Sequence, residues 1–129
     1  MELKEFTKRY KINAEPSDIY AALTNPFTIE LWSGYAAKMS TVPGSEFEMW
    51  EGDICGQNIE FEENKKIVQE WYFGDLEEKS IVTIKLFDMK KYTEILLLHT
   101  NIPADDYKDI TIGWNEYYMG AIKEFFEAE

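Results

Sequence analysis

Between Pro103 and the end of the chain, apolar residues recur at spacings of three and four: Ile110, Trp114, Tyr117, Tyr118, Ala121, Ile122 and Phe125. This is the only long stretch with a helical period, and it predicts a helix over about residues 105–127 with Trp114, Tyr117, Ala121 and Phe125 facing inward. Asp105, Asp106 and Asp109 sit near its start, where the helix dipole favours negative charge. Gly113 and Gly120 lower its intrinsic propensity, and a glycine inside a helix often permits close backbone packing.

One apolar helix face must be buried against something, and the preceding segment supplies a sheet. Residues 36–100 carry no helical period. Turn signals punctuate them at Pro43-Gly44, Glu51-Gly52-Asp53, Glu62 to Lys65, Gly74-Asp75 and Asp88 to Lys91. Such short connections imply antiparallel neighbours. Val82, Ile84 and Leu86 alternate with Thr83 and Lys85, and Phe47 and Met49 with Glu46 and Glu48, so one sheet face is covered and the other wet. Ahead of this meander, residues 3–13 read as a strand. Pro16-Ser17-Asp18 opens a helix that ends at Asn25-Pro26, and a second short helix runs from Phe27 to Trp32. The order is a strand, two short helices, about six strands and a long helix, in an α+β domain covering residues 1–129.

A net charge of −12 repels phosphate backbones and anionic headgroups, which argues against nucleic acid as a partner. Its ordinary consequence is solubility. Cys55 is the single cysteine, which fits a reducing compartment. No segment from Met1 to Phe6 resembles an export signal, and no stretch approaches the roughly 20 apolar residues that span a bilayer, so the expected address is the cytoplasm, without membrane insertion.

Several segments resemble a known pattern. They are Ala14-Glu15-Pro16 with Ile19 to Pro26 and Trp32, then Gly52 to Glu60, Lys66 to Trp71, Ile102-Pro103 and Ile112-Gly113-Trp114. Together these are similar to the activator of heat-shock-protein ATPase homologue family, within the START-like or SRPBCC superfamily, over nearly the whole chain. The resemblance implies a helix-grip fold, a curved antiparallel sheet of about six to seven strands wrapped on the C-terminal helix with an apolar cavity between them. Relatives of that fold include lipid carriers, hormone receptors and polyketide cyclases, so the fold does not select a chemistry. The resemblance also implies that a chaperone is a conceivable partner, although the family's two-domain eukaryotic co-chaperone carries a further N-terminal domain that contributes to ATPase activation.

Chemistry-bearing motifs are sparse. His99 is the sole histidine; by the resemblance it faces the helix, and a satisfied structural histidine is favoured over a catalytic one. Cys55, on a strand in an acidic setting, reads as packing. Gly52 and Gly56 form no phosphate loop and suit a turn or bulge. The pairs Glu62-Glu63, Glu77-Glu78 and Asp105-Asp106 read as solvated turns. One His and one Cys leave too few ligands for a usual metal site, and no cofactor is expected.

Aromatic residues make up 16% of the chain, enough either to fill the core or to line a cavity. We place Trp32, Phe47, Trp71, His99, Trp114 and Tyr117 around such a cavity. The expected function is holding a hydrophobic or amphipathic small molecule. A chaperone-accessory module, meeting a chaperone or a second copy of the chain, is the alternative. A cyclase- or hydrolase-like enzyme using His99 with Tyr117 or Tyr118 comes third.

Overall fold

A computed structural model describes residues 2–74 and 76–128. Met1 and Asp75, the latter half of a predicted turn signal, lie outside the described residues. Strand β1, Leu3–Ile12, is followed by helices α1, Pro16–Thr24, and α2, Pro26–Ser33. Then come β2, Glu46–Met49; β3, Ile54–Glu62; β4, Lys66–Trp71; β5, Ser80–Asp88; and β6, Thr93–Pro103. All six strands form one antiparallel sheet in the order β1-β6-β5-β4-β3-β2. Five strands, rather than about six, follow the helices. Residues before Pro43-Gly44 contribute only an isolated bridge from Lys38 to Glu48.

The two short helices are set by one dipeptide. Pro26 disfavours helical backbone at the residue before it, and Asn25 is extended, at φ −91° and ψ 118°. The same Asn25 then caps α2, its Oδ1 accepting from the backbone N–H groups of Phe27 and Thr28 at 2.9 and 3.2 Å. Gly34 closes α2 with φ 85°, in the left-handed region open to glycine.

Strand alternation follows the sequence reading. Val82, Ile84 and Leu86 of β5, Ile95, Leu97 and His99 of β6, and Ile67, Gln69 and Trp71 of β4 all point to the covered face. That face meets the C-terminal helix, built from α3, Ala104–Ile112, a π-helical segment, Gly113–Tyr118, and α4, Met119–Glu127. The sheet curves round it in a helix-grip arrangement. No described helix is long and apolar enough to cross a membrane.

The π segment corrects the predicted helix phase. In a straight α-helix each four-residue step overshoots a turn by about 40°, so residues spaced by four drift off one face. Here Ile110, Trp114, Tyr118, Ile122 and Phe126 all stay inward, buried or half-buried, because the wider π turn absorbs the drift. Tyr117 (65% exposed) and Phe125 (39%) consequently turn outward instead of toward the sheet. Strand β1 pins the bulge: Asn115 Oδ1 accepts from Tyr10 Oη at 2.8 Å and from Lys8 Nζ at 3.0 Å. Burial pushes the Tyr10 phenol up to about 12, which keeps it a proton donor. Gly120 is required as well, since a Cβ there would overlap the Asn115 carbonyl oxygen that the π turn projects. At the helix end, Glu127 Oε2 accepts from the Asn13 backbone N–H at 2.9 Å and ties the helix to the exit of β1.

Candidate functional site

The phase shift puts Trp114 and Tyr118 at the centre of an aromatic cluster. Trp71 of β4 stacks on Trp114, with centroids 4.7 Å apart at 22°. Tyr118 lies 4.5 Å from Trp114, 5.2 Å from Trp32 and 5.8 Å from Trp50. All four tryptophans of the chain therefore meet around one phenol. Offset and tilted pairs of this kind each contribute about 0.5–1.5 kcal/mol beyond area burial.

Polar tips in this cluster are tied to the scaffold, which fixes the ring planes. Trp32 Nε1 donates to the Ala22 carbonyl at 2.7 Å, joining α2 to α1. Trp71 Nε1 donates to Gln69 Oε1 at 3.1 Å, Gln69 Nε2 to Asn58 Oδ1 at 2.9 Å, and Asn58 Nδ2 to Ser45 Oγ at 3.1 Å. Trp114 Nε1 donates to His99 Nδ1 at 3.0 Å. An indole nitrogen only donates, so His99 Nδ1 carries no proton, and the neutral ring bears its proton on Nε2. That nitrogen meets Ser80 Oγ at 2.8 Å, and Ser80 in turn donates to the Thr100 carbonyl at 3.0 Å. Burial lowers the His99 pKa to about 3, keeping this neutral tautomer across the physiological range.

The Ser80–His99 distance matches that of a nucleophile and its base, but the chemistry does not follow. Both side chains are sealed from solvent, and the serine proton is committed to a backbone carbonyl. His99 is a fully satisfied structural histidine that aims Trp114.

An open-sided pocket of about 360 Å³ lies between the C-terminal helix and the β2–β3 and β4 region. Its aromatic walls are Tyr35, Trp50, Trp71, Trp114, Tyr117 and Tyr118, and Asp53, Ile54, Asp109 and Ile110 complete it. One wall is held in strained backbone. Trp50, Glu51 and Gly52 form a tight turn with φ of 50°, 56° and 95°. Left-handed backbone costs a non-glycine residue about 1–2 kcal/mol, and here it turns the Trp50 ring over Tyr118. Tyr118 is 2% exposed, and its hydroxyl makes no hydrogen bond to the described residues. No side-chain polar atom among those residues is both sealed and unpaired, so the phenol oxygen keeps some access to solvent, and Tyr118 lines the pocket. Burial raises its pKa, so the hydroxyl keeps its proton.

A sheet gripping a C-terminal helix, with this aromatic seam between them, can be set against known proteins. The family model described as "Activator of Hsp90 ATPase homolog 1-like protein" matches residues 13–127. The chain belongs to that family. Human activator of 90 kDa heat shock protein ATPase homolog 1 is 27% identical over 113 residues, covering 86% of this chain and 33% of the relative. The chain thus spans about a third of the length of the curated relatives it matches. Among solved structures, an Hsp90 activator from Plasmodium falciparum superposes with a TM-score of 0.85 at 26% identity, covering 94% of each chain. The Aha1 dimer from Colwellia psychrerythraea gives 0.81 at 19% identity, covering 98% of each chain, a likeness of fold.

Within this Activator of Hsp90 ATPase homolog 1-like fold, the six sequence-selected residues divide evenly. Trp71, Trp114 and Tyr117 line the pocket, Tyr117 as an exposed residue of its wall. Trp32, Phe47 and His99 do not. Trp32 packs behind Tyr118 and Trp50, Phe47 is buried against Gly56, and His99 lies on β6, behind Trp71 and Trp114. The sequence reading missed Tyr35 and Trp50, and it named Tyr118 only as an alternative to Tyr117 beside His99 in the enzyme reading, outside the six residues placed around the cavity. The Gly52 turn beside Trp50 was a signal for the former. For Tyr118 the signal was Gly120, a helix-interior glycine seven residues after Gly113. Cys55, half-buried on β3, borders an adjoining smaller pocket.

Proposed function

We propose that this domain holds a small apolar or amphipathic molecule against the aromatic seam between sheet and helix, within one START-like domain acting in the cytoplasm. The observation that carries the reading is the open pocket walled by tryptophans and tyrosines, among them Tyr118, whose hydroxyl has no partner among the described residues. A volume of about 360 Å³ is at the small end of ligand sites, and few polar groups compete with an apolar body there. Trp50, Trp71, Trp114 and Tyr117 supply contact area, and the Tyr118 phenol supplies one orienting hydrogen bond.

Three of the four tryptophans line the pocket, so intrinsic fluorescence reports occupancy directly. Titration of wild type with a naphthalene-sized probe gives saturable quenching, and Tyr118→Phe weakens a hydrogen-bonding probe several-fold while sparing a pure hydrocarbon. Absence of saturable binding in wild type overturns the reading.

A chaperone-accessory role is the second reading, favoured by the likeness to heat shock protein ATPase activators and by Phe27 (79% exposed) and Leu31 (70%) side by side on α2. Stimulation of Hsp90 ATPase by the wild-type domain, lost in Phe27→Glu/Leu31→Glu, supports it; no stimulation by wild type removes it. An enzyme reading that depends on His99 finds no support, because neither imidazole nitrogen is free.

A further inference from the structure

The pocket walls and the pocket rim differ in chemistry. Six aromatic rings form the walls, while every charged residue lining the pocket among the described residues is acidic: Asp53 from the turn before β3, and Asp109 from α3. The adjoining smaller pocket shares Asp53, Ile54, Trp71, Asp109 and Ile110 with it and adds Asp106, one helical turn from Asp109. Among the described residues no lysine or arginine lines either pocket. None of the three carboxylates is in an ion pair among the described residues, although the chain places its lysines beside glutamates elsewhere, as in Lys66 with Glu60 and Glu62. The Tyr118 side chain, more than nine-tenths buried and with no hydrogen-bond partner for its hydroxyl among the described residues, lines the larger of these two pockets.

Resting on the proposed ligand-holding role, we infer that the ligand is cationic: an amphipathic molecule that lays an apolar or aromatic body on the tryptophan walls and directs an ammonium group toward Asp53 and Asp109. Ring faces carry negative quadrupole density and attract ammonium groups, most strongly for indole. Unpaired carboxylates at the rim add Coulomb attraction, and a net charge of −12 draws cations toward the protein from further away. An anionic head would meet carboxylates with no cation to offset them. The Tyr118 oxygen can accept from an N–H of a protonated amine, or face the positive carbons of a quaternary one.

The experiment compares three probes sharing one naphthylmethyl body, with a trimethylammonium, a hydroxyl or a sulfonate head, by calorimetry and tryptophan quenching. The ammonium probe binds about tenfold tighter than the alcohol, and the sulfonate binds weakest. The preference shrinks several-fold in Asp53→Asn/Asp109→Asn, and also at about 0.5 M salt, where screening is strong. Circular dichroism and urea unfolding of the double variant confirm an unchanged fold. Equal binding of ammonium and alcohol probes overturns this inference and leaves the ligand-holding reading standing. So does a preference that survives the double substitution. Saturable binding of none of the three overturns both.

Discussion

Gly113 and Gly120 are both interior to the C-terminal helix, and alanine at the two positions has opposite consequences. In an ordinary helix interior alanine is about 0.8–1.0 kcal/mol more favourable than glycine. At Gly113 the backbone is α-helical, at φ −58° and ψ −46°, and a Cβ would have nothing within 4 Å. Gly113→Ala therefore gains about 0.5–1 kcal/mol. At Gly120 a Cβ would overlap the Asn115 carbonyl oxygen. Relieving that overlap means displacing a carbonyl whose residue is held by Tyr10 and Lys8, or collapsing the π turn and rotating Ile122 and Phe126 off the core. Forced shifts of this kind cost about 1–3 kcal/mol, which exceeds the propensity gain. The propensity gain is common to both, so the two variants are expected to differ by the overlap cost, about 1–3 kcal/mol, or roughly 5–10 °C in melting temperature for a domain of this size. Urea unfolding followed by tryptophan fluorescence measures the first, and thermal circular dichroism the second. If Gly120→Ala proves as stable as Gly113→Ala, the π turn is absent and the inward positions of Tyr118 and Ile122 need another cause.

Acid sensitivity should appear earlier than carboxylate titration alone would give. The His99 pKa is about 3 folded, below its ordinary 6.5, so as pH falls below 6.5 the unfolded chain takes up a proton that the folded chain refuses. Stability is then lost at up to about 1.4 kcal/mol per pH unit until the folded pKa is reached, and is unaffected above 6.5. Urea midpoints at pH 7 and pH 5 should differ for wild type and converge for His99→Gln; a wild-type midpoint that does not move would contradict the buried, neutral imidazole. Gly56→Ala addresses the sheet, because a Cβ there would overlap the Glu70 carbonyl oxygen of β4 and crowd the Phe47 ring. It should cost about 2–4 kcal/mol by chemical denaturation, and a loss below about 0.5 kcal/mol would mean that β3 and β4 pair differently.

Element type and order were legible in the sequence because they rest on local physics. Alternation along Val82, Ile84 and Leu86 needs only the two-residue period of a strand, and Asn25-Pro26 breaks and restarts a helix through its own backbone restrictions. The helix-grip arrangement was legible too, through the residues that resemble the family. The site was only half legible. Trp71 and Trp114 could be assigned to it because large aromatics on facing elements must meet. Tyr118 could not be preferred over Tyr117, since adjacent residues are separated by the helix phase, and that phase changes within the π turn that Tyr10, Lys8 and Gly120 hold in place. His99 likewise lost its expected place at the pocket to partners distant in sequence, Ser80 and Trp114, which occupy both its nitrogens. Periodicity determines which residues face the interior. Which interior groups remain unpaired and open to a ligand depends on contacts between strand and helix, and only the tertiary structure decided those.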